Sequence, residues 1–328
     1  MNYRTLGKTG FQISEVSLGT WQVGGRWGEP FKEATAAEII NAAIDGGVNF
    51  IDTADVYSDG LSEAAVAKVV KGRSEEVFIA TKCGRQIQPH TAEGYTPERL
   101  QKYVEESLRN MGVETLDLIQ LHCPPTEVYR RPEIFETFAR LKEQGKIRNL
   151  GVSVELVEEA LLAMDYGNVA TIQVIFNMFR LKPSEQLFTK AQDNNVGLIV
   201  RVPLASGLLT GKFTHATSFS PEDHRNFNRN GEAFDKGETF SGVDYDLGVE
   251  AAEELKKLFP GQAPLAAWAL RWVLMFPEVS TVIPGASRPE QVTTNLQAAA
   301  LPALSPEQMQ GVEAVYNQYI KPTVHEQW

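Results

Sequence analysis

The sequence predicts an α/β protein, a (β/α)8 barrel (TIM barrel) preceded by an N-terminal β-hairpin. Two observations support this prediction: eight short apolar runs follow the hairpin, and segments with helical periodicity lie between them. Strands that alternate with helices form parallel βαβ units, and eight such units are the number that closes a barrel. An open doubly wound sheet is the alternative. Against it, no Gly-x-Gly-x-x-Gly fingerprint follows the first strand, as a dinucleotide-binding sheet of that class requires.

The hairpin is predicted from Arg4 to Val16, around the turn sequence Gly7-Lys8-Thr9-Gly10. The eight apolar runs that follow it are the candidate barrel strands. They comprise residues 16–18, 50–51, 77–80, 116–121, 149–152, 172–175, 197–200 and 280–283.

Two helix starts are recognisable between these strands. Thr35 and Glu38 have the spacing of a capping box. Thr96 precedes Pro97, and proline is common at the first position of a helix. The helix predicted over residues 98–111 carries an amphipathic stripe at spacings of four, four and three, formed by Leu100, Val104, Leu108 and Met111.

One long irregular segment interrupts the alternation, from Thr210 to about Tyr245 (residues 210–245), between the seventh strand and a helix predicted to begin near Leu247. Loops of this length in a compact domain are usually functional or disordered. Its phenylalanines indicate partial packing, so we interpret it as a lid that forms an active-site and cofactor loop. Because α/β barrels of this length commonly fold as one unit, residues 1–328 are predicted to form a single domain.

Composition and charge argue against several functional classes. The formal net charge is −11, whereas a nucleic-acid binder needs a basic face for phosphate contacts. No stretch approaches the ~18 apolar residues of a membrane span, and no signal-peptide pattern follows Met1. Two cysteines cannot build a disulfide framework and suit a reducing compartment. We therefore expect a soluble, cytoplasmic protein with no nucleic-acid or membrane partner.

Polar side chains follow three neighbouring strands, at the end of a barrel where functional groups concentrate. Asp52 and Tyr57 follow the second strand, Lys82 the third and His122 the fourth. Taken singly, each has a structural explanation, such as a solvated edge lysine or a hydrogen-bonded core histidine. Taken together at one end of adjacent strands, they favour a functional site.

These four groups suit the protonation of a developing alkoxide. A phenol has a reference pKa of about 10, so Tyr57 is a weak acid at neutral pH. The Lys82 ammonium is expected to lower the pKa of Tyr57, and the Asp52 carboxylate to fix the position of the lysine. The His122 imidazole then polarises or orients the carbonyl oxygen that receives the proton. The set lacks a hydride source, which a nicotinamide supplies.

A metal-dependent barrel hydrolase is a hypothesis of another class. It needs clustered histidine and carboxylate ligands at strand ends. Of the five histidines, only His122 clearly occupies such a position. We therefore predict no metal site.

Several motifs occur in the order and spacing of a known family. They comprise the segment from Asp52 to Tyr57, Lys82, His122, Gly151-Val152-Ser153, Gln173 with Asn177, Pro203 to Lys212 and Ile283 to Ser287. Over nearly its whole length the chain resembles the aldo-keto reductase superfamily. The resemblance implies a (β/α)8 barrel that binds NADP(H), prefers NADPH over NADH and reduces small-molecule aldehydes or ketones by direct hydride transfer. In such a barrel Tyr57 is the general acid, Lys82 its pKa partner, Asp52 the anchor of the lysine and His122 the carbonyl-orienting group.

The resemblance also implies cofactor contacts. Ser153 and Gln173 match positions that hold the nicotinamide carboxamide. Arg201 occupies the position where family members often have an aromatic ring beside the nicotinamide. A planar guanidinium can also stack on a ring, so Arg201 is expected to stack on the nicotinamide. The alternative is that Arg201 pairs with an acidic neighbour. Further contacts are expected from Gly19, Thr20, Trp21, Pro203, Leu204, Ser206, Gly207, Leu208 and Lys212, the last of which reaches the pyrophosphate.

A phosphate site is predicted after the eighth strand, at Gly285, Ser287 and Arg288. Ser287 has capping-box spacing to Glu290, and the free amides of a helix N-terminus attract anions. Arg288 is expected to bind the adenosine 2′-phosphate, with an exposed arginine at a helix start as the alternative. By the resemblance, Gln291 and Asn295 contact the adenosine.

The substrate pocket is expected to be formed by Trp21, Trp27, Tyr57, His122 and Tyr129. The C-terminal His325 and Trp328 either fold over the barrel mouth or fray. Strand alternation points Cys83 and Cys123 away from the barrel interior, as small hydrophobic residues.

A cofactor-binding regulatory subunit with little turnover is the alternative function, because some proteins with this fold have that role. The predicted residues are compatible with both functions. The physiological substrate and the oligomeric state do not follow from the sequence.

Overall fold

The computed structural model describes residues 1–25, 28–259 and 261–328, and it consists of a hairpin followed by a parallel barrel. The strands are β1 Tyr3–Thr5, β2 Gln12–Ser14, β3 Leu18–Gly19, β4 Phe50–Asp52, β5 Phe78–Cys83, β6 Leu116–His122, β7 Ile147–Ser153, β8 Val169–Ile175, β9 Gly197–Arg201 and β10 Val279–Val282. Strands β3 to β10 pair in chain order, and bridges from Val16 to Val282 and from Gly19 to Gly285 join the first barrel strand to the last. The predicted (β/α)8 barrel is confirmed, since each apolar run contributes to one strand.

Helices alternate with the barrel strands, and most of them cover the outside of the barrel. They are α1 Glu33–Asp45, α2 Leu61–Lys71, α3 Pro97–Met111, α4 Pro132–Glu143, α5 Val157–Met164, α6 Pro183–Asp193, α7 His224–Phe227, α8 Tyr245–Leu258, α9 Leu265–Val273, α10 Pro289–Leu296, α11 Pro306–Val315 and α12 Lys321–Val324. Thr96 caps α3 as predicted, by accepting a hydrogen bond from the Arg99 amide at 3.3 Å. The capping box expected at Thr35 is wrong: α1 begins two residues earlier, so Thr35 lies inside its first turn.

The hairpin closes the amino-terminal end of the barrel. Leu6, Phe11 and Ile13 form one buried cluster with Phe50 and Phe78, the first residues of β4 and β5. The Phe11 ring stacks on the Phe78 ring with their centroids 4.1 Å apart. Because this end is filled by side chains, the carboxyl-terminal end of the strands is left for a site.

The long segment after β9 is irregular as predicted, although it contains short helical turns. It includes α7, and the next long helix, α8, begins at Tyr245. Its phenylalanines pack together: the Phe219 ring centroid lies 5.3 Å from that of Phe213 and 5.8 Å from that of Phe240. This aromatic packing gives the segment a defined position beside the barrel mouth.

The C-terminus is docked, so fraying, one of the two alternatives that the sequence left open for His325 and Trp328, does not occur. Trp328 is buried, and the Arg180 guanidinium lies 3.9 Å above its ring. His325 is 2.7 Å from the Tyr316 hydroxyl through Nδ1 and 3.1 Å from Glu185 through Nε2. Within the described parts of the chain, we find no helix with the length and apolar character needed to cross a membrane.

Candidate active site

The four predicted side chains meet at the carboxyl-terminal end of β4, β5 and β6. The Lys82 ammonium hydrogen bonds directly to an oxygen of Asp52, and both side chains are buried. Lys82 Nζ also donates to the Thr53 carbonyl at 2.8 Å and to the Tyr57 hydroxyl at 3.2 Å. The His122 ring meets the Tyr57 ring edge-on, with 6.0 Å between centroids. Lys82 therefore links the carboxylate to the phenol, as the sequence predicts.

Two buried amides hold the second oxygen of Asp52. Gln120 donates to it at 3.1 Å and Gln173 at 2.7 Å, both through Nε2. Gln173 Nε2 also lies 3.2 Å from Gln120 Oε1. The side-chain amide nitrogen of Gln173 is thus hydrogen bonded to Asp52, the partner of Lys82, and Gln173 also lines the cavity.

The pKa of Tyr57 is raised, which is the reverse of the direction expected from the sequence. Burial of the phenol is the largest influence, and it outweighs the opposite influence of the Lys82 ammonium. Burial also acts to lower the pKa of Lys82, but Asp52 and Tyr57 raise it, and the net shift is upward. The ammonium is therefore firmly charged, and the phenol keeps its proton.

His122 is buried beside two cations. Burial lowers the pKa of His122 well below its ordinary value, and the charges of Arg85 and Lys82 lower it further. The Arg85 guanidinium approaches His122 Nε2 at 3.4 Å through Nη1. The imidazole is therefore neutral at pH 7.

A cavity of about 610 Å³ opens above these residues. Most of the predicted contact residues line it: Gly19, Thr20, Trp21, Asp52, Tyr57, His122, Gln173, Arg201, Pro203, Leu204, Ser206, Gly207, Lys212, Gly285, Arg288 and Gln291. The residues predicted to contact the substrate and those predicted to contact the cofactor thus share one space at the mouth of the barrel.

Other predicted residues lie behind the cavity wall. Ser153, Leu208 and Asn295 are buried and do not line it, and Asn295 donates to the Gly285 carbonyl at 3.3 Å. Tyr129, expected in the substrate pocket, packs in the core; its hydroxyl is 3.4 Å from the Ser153 carbonyl. The expectation for Tyr129 is wrong because the turn after β6 directs its ring between barrel and helices. Trp27 falls outside the described residues.

Arg201 has the acidic partners that the alternative interpretation expected. Its Nη2 lies 2.8 Å from a Glu155 oxygen, and its Nη1 lies 3.5 Å from a Glu238 oxygen.

Cys123 is closer to the site than strand alternation predicts. A positive φ of 49° turns the chain after β6 and brings Cys123 Sγ to 3.5 Å from Arg201 Nη2. Cys83 does pack in the outer core. Cys123, Glu155 and Glu238 bring potential metal-ligand atoms within 4.8 Å of one another, but the guanidinium already bound to both carboxylates disfavours a cation there.

The start of α10 differs from the predicted capping box. The residue at the N-cap is Arg288, with no side-chain cap, and Pro289 is the first helical residue as expected. Ser287 instead donates from both its amide and its hydroxyl to Gln291 Oε1, at 2.7 and 3.1 Å. The capping box with Glu290 is wrong because Gln291, one residue further along, occupies the Ser287 donors.

Several cavity residues were not predicted individually from the sequence. Arg85 follows β5, while His224, Phe234 and Glu238 belong to the long segment, and all four line the cavity. Arg85 donates to Glu238 at 2.7 Å across 153 positions of the chain. The position of Arg85 three residues after Lys82 was the one available hint, since it places a cation beside the predicted site.

The comparisons with known proteins agree with this geometry. Residues 15–317 match the Aldo/keto reductase family. Aldo-keto reductase YhdN from Bacillus subtilis is 32% identical over 299 residues, which cover 89% of this chain and 87% of that protein. The solved structure of the glycerol dehydrogenase AKR11B4 from Gluconobacter oxydans superposes with a TM-score of 0.77 at 30% identity, covering 97% of this chain and 96% of that one.

More distant relatives carry different functional names. An NADH-specific methylglyoxal reductase from Escherichia coli is 28% identical and covers 89% of this chain and 92% of its own. A putative voltage-gated potassium channel subunit beta from Schizosaccharomyces pombe is 29% identical over 96% of this chain and 93% of its own. Barrel, cavity and sequence similarity agree, and the chain belongs to the aldo/keto reductase family of oxidoreductases, which use nicotinamide cofactors and act on small carbonyl compounds.

Proposed function

We propose that the protein reduces aldehydes or ketones to alcohols with NADPH, and that Tyr57 is the general acid. The observation that carries the proposal is the 3.2 Å hydrogen bond from the buried Lys82 ammonium to the Tyr57 hydroxyl, at the wall of the 610 Å³ cavity. A protonated phenol in that position can give its proton to a carbonyl oxygen, because the adjacent ammonium stabilises the phenolate that remains.

The residues around the cavity suit a dinucleotide. Its volume is that of a ligand site, and it is lined by the amide of Gln173 as well as by the cations Lys212 and Arg288. A side chain at Gly285 would meet only the Gly19 carbonyl, at 3.8 Å, so the open backbone there allows a phosphate to approach. When bound, the nicotinamide supplies the hydride.

The other residues prepare the Tyr57 proton for transfer. Asp52 holds the Lys82 ammonium, and Gln120 and Gln173 hold Asp52, so the cation has one position. We keep Arg201 as a stacking residue for the nicotinamide, since its ion pair with Glu155 fixes the plane of the guanidinium at the cavity wall.

The preference for NADPH rests on Arg288. Its side chain is about half exposed beside the cavity, and its nearest acidic neighbour, Glu290, is 3.8 Å away. A guanidinium that is so weakly paired remains available for a phosphate, which it binds by charge-assisted hydrogen bonds. The family includes an NADH-specific relative, so this preference has to be measured on the chain itself.

Titration of the purified protein with NADPH and with NADH, followed by tryptophan fluorescence, tests the cofactor assignment. We expect tight binding of NADPH and weaker binding of NADH. Equal affinities would contradict the role of Arg288 and leave the reductase assignment intact. Absence of binding by both would contradict the proposed function.

Tyr57→Phe tests the acid. We expect NADPH binding to persist and turnover of a reactive aldehyde to fall by about 10²-fold or more, the usual contribution of general acid catalysis. Tyr103→Phe on α3 is the matched control and should leave turnover unchanged. An unaltered rate in Tyr57→Phe would show that another group is the acid.

A regulatory subunit is the second candidate, favoured by the similarity to a putative potassium channel subunit beta. That function predicts NADPH binding together with negligible turnover across a broad panel of aldehydes and ketones, and a stable complex with another protein. Turnover of any aldehyde that disappears in Tyr57→Phe would favour the reductase.

A further inference from the structure

One arginine of the cavity wall, Arg85, is held at one end of its guanidinium and open along the opposite edge. It lies in the turn after β5, and its side chain is 22% exposed and lines the cavity. Nη1 donates to a Glu238 oxygen at 2.7 Å. Within residues 1–25, 28–259 and 261–328, Nε and Nη2 donate to no acceptor, and neither atom is fully buried. The edge formed by Nε and Nη2 is therefore free to bind a ligand.

This free edge is the part of an arginine side chain that recognises planar anions. Its two N–H groups are parallel and match the two oxygens of a carboxylate in a bidentate hydrogen bond. The bond from Nη1 to Glu238 orients the guanidinium before a ligand arrives, which reduces the entropy lost on binding. A neutral hydroxyl or carbonyl group offers one oxygen and leaves the second donor without a partner.

The cavity wall around Arg85 carries more positive than negative charge. In the described parts of the chain, five cationic residues and two carboxylates line the cavity. Of the two carboxylates, Asp52 is already paired with Lys82. The other, Glu238, lies 2.7 Å from Arg85 and 3.5 Å from Arg201. One carboxylate thus faces two guanidiniums, and a ligand with one negative charge would balance the second.

The carboxyl group of Glu155, 2.8 Å from Arg201, does not remove this excess. Burial raises the pKa of Glu155 and thereby weakens its negative charge at neutral pH. Burial also acts to raise the pKa of Glu238, but Arg85 and Arg201 lower it, and the net shift is downward. Glu238 therefore stays ionised and is shared between the two guanidiniums.

The location of Arg85 favours the substrate over the cofactor as its ligand. Lys212 and Arg288, the proposed phosphate contacts, follow β9 and β10, whereas Arg85 follows β5, four strands from β9 in the closed ring of eight. Arg85 Nη1 lies 3.4 Å from His122 Nε2, and the His122 and Tyr57 ring centroids are 6.0 Å apart. Arg85 is therefore close to the proposed general acid.

We propose that Arg85 binds a carboxylate of the substrate through Nε and Nη2, so that the protein prefers aldehydes or ketones with a carboxylate a few bonds from the carbonyl carbon. The proposal rests on the reductase function proposed above and names its substrate class. Two rings connect Tyr57 to Arg85: the Trp21 ring centroid lies 6.5 Å from that of Tyr57 and 6.1 Å from that of Phe234. The Phe234 centroid in turn lies 5.7 Å from Arg85 Cζ. These apolar rings suit the short carbon chain between the carbonyl group and the carboxylate.

Steady-state kinetics with 4-oxobutanoate and its methyl ester compare a charged with a neutral substrate of the same carbon skeleton. At saturating NADPH, we expect kcat/KM of the wild type to be about 10-fold or more higher for the acid, as for a hydrogen bond between charged groups. Arg85→Leu should lower kcat/KM for the acid about 10-fold more than for the ester, because only the acid loses a charged partner.

Two further variants are the comparisons for Arg85→Leu. Arg85→Lys should keep part of the preference for the acid, since the charge remains but the parallel donors are lost. Arg109→Leu removes an exposed arginine of α3 and should keep the full preference. Equal kcat/KM for acid and ester in the wild type would overturn the proposal. An equal loss for both substrates in Arg85→Leu would also overturn it, because Arg85 would then act only by holding Glu238.

Binding of the product acid requires neither turnover nor a variant. In titration calorimetry of the wild type saturated with NADPH, we expect 4-hydroxybutanoate to bind about 10-fold or more tightly than the neutral 4-hydroxybutanamide; equal affinities would overturn the proposal. If the wild type reduced no carbonyl compound, the reductase function would fail, while this titration would still test the carboxylate site. If it reduced neutral aldehydes without any preference for the acid, the substrate class alone would be wrong.

Discussion

Asp52→Asn is the substitution that most directly tests the buried network. It keeps the shape of the side chain but removes the charge that neutralises Lys82. The Asp52 and Lys82 side chains are 3% and 1% exposed, so the ammonium would be left buried without a counter-ion. Breaking a buried ion pair by removing one partner costs about 3–5 kcal/mol. The new amide also opposes the donors of Gln120 and Gln173, which now bond to a carboxylate oxygen.

We therefore expect the free energy of unfolding of Asp52→Asn to fall by about 3 kcal/mol or more, as measured by urea unfolding at pH 7. Turnover should fall as well, because Lys82 loses its fixed position beside Tyr57. The control is Asp45→Asn, which breaks a pair to Arg73 in which Asp45 is 64% exposed. Exposed pairs contribute about 0–1 kcal/mol. A loss in Asp52→Asn no larger than that of the control would refute the claim that the buried pair organises the site.

Three further predictions concern other parts of the molecule. Burial, together with the charge of Glu63, raises the pKa of Asp55 to about 7 from an ordinary value of 3.8. A carboxyl group that binds its proton more tightly in the folded state destabilises that state as the pH rises from 4 to 7, so Asp55→Asn should raise the free energy of unfolding at pH 8 by up to about 4 kcal/mol and by little at pH 4. A pH-independent effect in urea unfolding would contradict this prediction. Phe11→Ala should lower the free energy of unfolding by about 3–5 kcal/mol, because it leaves a cavity in the buried cluster at the amino-terminal end of the barrel. It should leave kcat and KM unchanged, and a large change in either constant would show that this cluster and the site are coupled. Arg288→Ala should weaken NADPH binding about 10-fold or more, because it removes one charge-assisted hydrogen bond to phosphate, which contributes about 1.5–3 kcal/mol. It should leave NADH binding unchanged. An equal loss of affinity for both cofactors in the fluorescence titration would show that Arg288 contacts a part of the cofactor other than the 2′-phosphate.

The strand and helix order follows from the sequence because the signals involved are local. Apolar runs such as 116–121 become strands wherever the fold buries them, and Thr96 caps α3 through a residue three positions away. The meeting of Asp52, Lys82 and Tyr57 was equally predictable. Parallel strands bring their carboxyl ends to one edge, so a polar residue at each end suffices to place the group.

The tertiary structure alone decided how distant side chains pair. Arg85 and Glu238 are 153 positions apart, and Arg201 of β9 meets Glu155 from the turn after β7. No periodicity encodes such contacts, because they depend on the paths of segments that are distant in the chain. The pKa of Tyr57 was predicted in the wrong direction for the same reason, since burial is a property of the packed site and outweighs the nearby charge. Local sequence signals thus determined the strands and helices and the four converging residues. Long-range packing determined the cavity wall, the burial of the Tyr129 ring in the core and the approach of Arg85 to His122.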